Sequence, residues 1–253
     1  MGQEKYRKSV RVVAKKVSPV YEIREVIYNE ARWNLLNKLR ETAIAILSQL
    51  SVRGIYAIVH GSIARGDVNE KSDVDIFVPE VIPSYILETT LHDAGFKIIK
   101  RELTQATPNH AVKAIIYLDE NIKVTFPLLP LRQREREFYK FGGEVGLKEL
   151  QECKRVPGVD KRLTLIVPTN YGHYEYSIIY NVVEVSKLVG VSLGLINERI
   201  RVLTRRDEIG RTGIYFKVDL HEDESFEEKL RERASKDPSL RRLLTQRGMR
   251  FIY

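Results

Sequence analysis

The chain has 253 residues, 43% of them apolar and 30% charged, which suits one large domain or two modest ones with a buried core. Its formal net charge of +8 favours a polyanionic partner, although charge balance says nothing about fold. The single cysteine, Cys153, excludes an internal disulfide and a cysteine-rich zinc site. No apolar run reaches the length of a membrane span and the first sixteen residues lack a signal-peptide core, so a cytoplasmic protein without membrane partners is expected.

In chain order, residues 1–18 read as a basic segment; six Lys/Arg stand against Glu4 in residues 1–16. Ser18 and Pro19 have the pattern of a helix start, and Val20, Ile23, Ile27, Ala31, Leu35, Leu39, Ala43 and Ile46 recur at helical spacing, predicting one helix to about residue 50. Residues 55–59 read as a buried strand, followed by Gly61, Ser62 and a short helix. Residues 73–78 alternate acid and apolar side chains into another strand. A helix over 84–94 and strands over 96–103, 111–118 and 121–129 follow, the last two joined as a hairpin through Asp119 and Glu120. Strands mixed with helices predict an α/β or α+β domain over residues 19–130.

Residues 131–165 read as a charged connecting segment whose helix breaks at Gly142 and Gly143. From residue 166 a second, mainly helical domain is expected, with helices over 175–190 and 193–206 separated by a tight turn, then a turn and strand over 209–220. Ser225 and Glu228 form a capping-box pattern for a further helix, and Asp237 caps a last one leading into a tail with four Arg and no acid over 240–253. The pair 175–206 with its following strand has the elements of a winged helix-turn-helix, in which Asn197, Arg201, Arg205 and the loop residue Arg211 would reach nucleic acid. Arg199 stands where that motif expects an apolar residue, and a plain packing pair of helices explains the segment equally well. Basic runs are also ordinary solvated faces.

The chemistry concentrates in residues 60–78, HGSIARGDVNEKSDVDIFV. Asp73 and Asp75 are two apart on a strand, so both carboxylates project to one face and can share a metal ion. Gly61 permits close backbone approach to phosphate, Ser62 adds a hydroxyl, and Arg65 lies one turn later within reach of a phosphate. There is no P-loop, no Rossmann glycine pattern and no nucleophile–base pair.

A hydrophobic strand, Gly61-Ser62, ten residues, then Asp73-Val74-Asp75-Ile76 resembles the signature of the DNA polymerase β-like nucleotidyltransferase superfamily, and the layout is similar to archaeal CCA-adding enzymes. The resemblance implies a nucleotidyltransferase fold with a mixed sheet. It further implies Mg2+ or Mn2+ held by Asp73 and Asp75, and a nucleoside triphosphate, such as ATP, held by Gly61, Ser62 and Arg65. The nucleoside monophosphate would pass to a hydroxyl acceptor, with RNA favoured among nucleic acids. The family also implies a third carboxylate on a strand beside the Asp-x-Asp strand. The corresponding string here is Val124-Thr125-Phe126-Pro127, which puts Val124 at the acid position. A catalytically weak or silent nucleic-acid-binding protein on the same scaffold is therefore the alternative expectation.

Overall fold

The computed structural model describes residue 17 and residues 22–210 and 213–249. The segment 1–16, residues 18–21 with the expected helix start at Ser18 and Pro19, the loop residue Arg211 and the end of the basic tail from Arg250 lie outside the described residues.

Two sheets organise the chain. The larger has seven strands in the order β11-β4-β5-β6-β3-β2-β7: Phe216–Asp219, Lys100–Gln105, Lys113–Asp119, Ile122–Pro127, Val74–Phe77, Ile58–His60 and Glu144–Gly146. It is mixed, since β3 runs parallel to β6 while the other pairs are antiparallel. The smaller sheet has the order β1-β10-β9-β8, from Arg24–Ile27, Gly172–Ser177, Thr164–Thr169 and Gly158–Val159.

Period-2 alternation gives the larger sheet two different faces. Val74, Ile76, Val124, Phe126, Ala114, Ile116 and Leu103 point to one side and are fully buried. Helices α1 (Glu30–Val52) and α3 (Ser84–Asp93) cover that side with Leu36, Ala43, Leu47, Leu50, Leu87 and Leu91. The opposite face carries Asp75, Lys123, Tyr117 and Glu102. Part of it is roofed by α4 (Gln133–Phe141), whose Tyr139 stacks on Phe77 at 3.5 Å between ring centroids.

Several expectations for the flanking segments need correction. The predicted first helix begins only at Glu30, capped by the Asn29 side chain on the Arg32 N–H; residues 24–27 are instead strand β1, paired with β10. The helical spacing of Ile23 and Ile27 is incidental, because both side chains are exposed. The predicted helix over 175–190 is divided: Gly172–Ser177 is a strand, and only α6 (Val182–Val189) is helical. Tyr174 and Tyr176 alternate with buried His173 and Glu175, a strand period that the aromatic run hid. The residues beyond 166 are thus mainly helical, with the strands β9, β10 and β11 among the helices.

The winged-helix expectation also fails in its last part. Helices α6 and α7 (Leu193–Ile209) do form a pair with Gly190 in a left-handed conformation at the turn. The strand that was to be the wing, β11, pairs with β4 at the edge of the larger sheet. Helices α8 (Phe226–Lys236) and α9 (Pro238–Gln246), capped by Ser225 and Asp237, then pack into the first core: Phe226 lies edge-on to Phe126, and Leu230, Leu240, Leu243 and Leu244 are buried. Residues 213–249 therefore belong to the packing of the first sheet, while the second core gathers Leu163, Leu165, Ile178, Val185, Leu195 and Ile196.

Phe226→Ala is expected to cost about 3–5 kcal/mol of unfolding free energy in urea titration, as for a fully buried aromatic ring. An unchanged midpoint would show that α8 is not part of the core that carries the Asp-x-Asp strand.

Candidate active site

The site is built where β2 turns into a four-residue helix, α2 (Ser62–Arg65), and where β3 starts. Gly61 has φ 81° and ψ −141°, a conformation that any side chain would strain, although a Cβ there would meet nothing within 4 Å. Its N–H donates to the Gly143 carbonyl at 2.9 Å, so this amide is committed to the fold. At the other end of α2, the buried Arg40 of α1 donates to the carbonyls of Ile63 at 3.0 and 3.2 Å and of Ala64 at 3.3 Å. Those bonds satisfy carbonyls that a single-turn helix leaves open. Burial lowers the Arg40 pKa to about 10, which keeps it charged at neutral pH.

Ser62 and the aspartates are brought together by a hydroxyl contact. Ser62 Oγ donates to Ser72 Oγ at 3.2 Å, one residue before Asp73, and Ser72 Oγ accepts from the Asn69 N–H at 2.9 Å. Asp73 is exposed, Val74 is buried and Asp75 is half-buried, as strand alternation requires.

Arg65 does not take the place expected for it. It is buried, with its fork on both oxygens of Asp67 at 2.9 Å and another donor on the Gly142 carbonyl at 2.6 Å. A guanidinium so engaged commits three of its five N–H donors and ties α2 to the turn after α4.

The register of β3 against β6 also revises the reading of Val124. Val124 pairs with Ile76 and is wholly buried in the core, so its side chain points away from the aspartates. The residue beside Asp75 is Lys123, whose Nζ lies 2.8 Å from Asp75 Oδ1. Oδ1 accepts no well-angled hydrogen bond, so the contact is an ion pair. Burial works against the Lys123 charge, but Asp75 and then Asp73 outweigh it and hold the pKa above the ordinary lysine value. Lys123 is a fixed cation and not a base.

Other acids on this face are committed elsewhere. Glu102 lies three strands from β3, roughly 14 Å away at ordinary strand spacing. It is bound by Lys217 at 2.7 Å and Lys100 at 3.3 Å. Glu144, paired with His60, holds Arg136 at 2.5 and 2.7 Å. Among the described residues no group of three or more His, Cys, Asp or Glu side chains stands together to hold a metal ion.

Sequence reasoning missed Lys123. The signal was present: Ile122, Val124 and Phe126 alternate with Lys123 and Thr125, so an apolar Val124 belongs to the core face. Asn197, Arg201 and Arg205 are exposed on α7, on the side away from α4, and Arg199 lies beneath Phe138 with its guanidinium 5.0 Å from the ring centroid. The apolar position that Arg199 occupies is thus filled by an arginine lying against an aromatic ring.

With this geometry in view, residues 40–140 match the nucleotidyltransferase domain family. That segment runs from the middle of α1 to the end of α4 and carries every element described above for the aspartates; it is a nucleotidyltransferase domain of the DNA polymerase β-like superfamily, with the mixed-sheet fold. No curated protein and no solved structure matches the chain significantly. No helix among the described residues is long and apolar enough to cross a membrane.

His60, on β2 with its ring edge-on to Tyr139 at 4.9 Å, is a built-in acid sensitivity. Burial, against the opposing pull of Asp75, lowers its pKa to about 4 from an ordinary 6.5. The unfolded chain therefore binds the extra proton first: the contribution is complete above pH 6.5 and is lost as pH falls towards 4, by up to about 3 kcal/mol. His60→Gln is expected to flatten the decline of the urea midpoint across that window. A variant that keeps the wild-type slope would remove His60 as its source.

Proposed function

We propose that the domain binds a nucleoside triphosphate beside Gly61 and Ser62 and transfers its nucleoside monophosphate to a hydroxyl of a nucleic acid, with RNA favoured. The observation that carries this reading is the Ser62–Ser72 contact, which joins the Gly-Ser turn to the strand bearing Asp73 and Asp75. Transfer forms a bond from the acceptor oxygen to the α-phosphorus and breaks the bond to the bridging oxygen of the leaving pyrophosphate; the hydroxyl proton leaves to solvent or phosphate.

The donor set fits the divalent cation that such domains use. Two carboxylates on one face are hard oxygen ligands suited to one magnesium or manganese ion that completes its shell with triphosphate oxygens. When bound, such an ion would neutralise charge developing on the phosphates. Among the described residues a second ion finds no third carboxylate, and Lys123 stands beside Asp75. Asp75 and Lys123 each keep over a quarter of their side-chain surface exposed, so their pairing is worth about 1 kcal/mol or less and does not bar a cation arriving with nucleotide. The chain's own part in the reaction is to orient the triphosphate at Ser62, to hold negative charge at Asp73 and Asp75, and to offset it with the Lys123 ammonium.

That ammonium also favours a second reading, in which the scaffold binds nucleic acid without transferring nucleotide. Incorporation of labelled nucleotide into RNA with magnesium or manganese separates the two. Under the first, wild type incorporates label and Asp73→Ala with Asp75→Ala lowers the rate about 1,000-fold or more, the scale of several kcal/mol of charge stabilisation. Incorporation retained by that double variant would refute the assignment of the two aspartates. Under the second, wild type incorporates nothing yet binds RNA with an affinity that falls as salt rises.

A further inference from the structure

A cavity of about 700 Å³ lies between α4, α7 and the turn joining β4 to β5, and its lining is charged in an unbalanced way. Its two acids are already used. Glu135 accepts from Arg247 at 2.9 and 3.0 Å and from the backbone N–H groups of Ala111 and Arg132, and Glu198 meets Arg134 at 3.3 Å. Lys113, Arg132, Arg199 and Arg206 also line it, and among the described residues none of these four takes part in an ion pair. Arg199 Nε is buried without a hydrogen-bond partner. Lys113 Nζ has the Tyr139 hydroxyl at 2.7 Å as its polar contact, and burial lowers its pKa to about 8.

Five cations thus line the cavity against two acids that already hold partners, and because Lys113 and Arg199 are partly buried an anion relieves the cost of their charge. Phosphate fits best, because planar guanidinium forks match its oxygens and several cations suit its charge. The remaining lining includes Phe138, Leu195 and Ile214, which offer apolar contact to the body that carries the phosphate. We propose that this cavity is a second site, which binds the phosphate and base of a nucleotide. The chemistry is shared by a free nucleoside monophosphate and by a nucleotide within a strand.

The site is distinct from that of the aspartates. Lys113 pairs with Pro127, four residues along β6 from Lys123, so its backbone lies roughly 13 Å farther along the sheet at strand rise, while its Nζ reaches back to 5.9 Å from the Phe77 ring. The inference therefore does not depend on nucleotide transfer.

The test uses the full chain in EDTA, which silences metal-dependent binding at Asp73 and Asp75. Adenosine monophosphate is titrated by calorimetry and a fluorescent oligoadenylate by anisotropy. At least one is expected to bind, and to bind at least tenfold more weakly in Arg132→Ala with Arg206→Ala, whose side chains are exposed and whose loss leaves the wild-type melting temperature. Arg199→Ala is expected to weaken binding in the same way, whereas Asp73→Ala with Asp75→Ala leaves it unchanged. Binding of the monophosphate identifies a free nucleotide; binding of the oligonucleotide alone identifies a strand. The proposal is overturned if neither probe binds, if the arginine variants bind as wild type does, or if the aspartate variant is the one that loses binding.

Discussion

Four residues of β3 lie in parallel register against four of β6, and that pairing governs the site. It sends Val74, Ile76 and Val124 into a dry core and leaves Asp75 and Lys123 side by side on the opposite face. Because side chains alternate with a period of two, a slip of one residue would exchange the two faces. Burial of the apolar set against α1 and α3 fixes the register, and the register then decides which charged groups meet. The chemistry of the face is set by the packing behind it.

On that face, acids and bases are matched almost one for one. Glu102 has Lys217 and Lys100, Glu144 has Arg136 and Asp75 has Lys123, and beside the sheet Arg65 has Asp67. What distinguishes Asp75 is not that it is unpaired but that its pairing is weakly angled and part-exposed, next to an exposed Asp73. The Arg65–Asp67 pair is well aligned and buried, and it spends its donors on structure. Similar residue types thus divide into scaffold and site by burial and by hydrogen-bond geometry. The cavity beneath α7 departs from the pattern, because there cations outnumber the acids that face them.

Elements with a strong local signal were legible in the sequence. The strands around residues 58 and 76 carry short apolar runs and those around 115 and 124 an apolar alternation, and Ser225 and Asp237 cap the helices their patterns announce. The spacing of Gly61, Ser62, Asp73 and Asp75 was equally plain, because each role needs a particular residue type. Weaker signals misled. Residues 24–27 and 175–177 mix apolar and polar side chains in an order that satisfies either period, and pairing of β1 with β10 and of β10 with β9 decided for strand.

The sequence by itself determined a nucleotidyltransferase domain with Gly61-Ser62 ahead of Asp73-Val74-Asp75, since motif and alternation are local properties. Only the tertiary structure decided that Val124 serves the core, that Lys123 faces Asp75, that Arg65 is bound to Asp67 and that β11 completes the first sheet. Each of these is a contact between residues distant in the chain or on different elements. Which partner a charged side chain meets depends on strand register and packing, and no stretch of sequence carries that information alone.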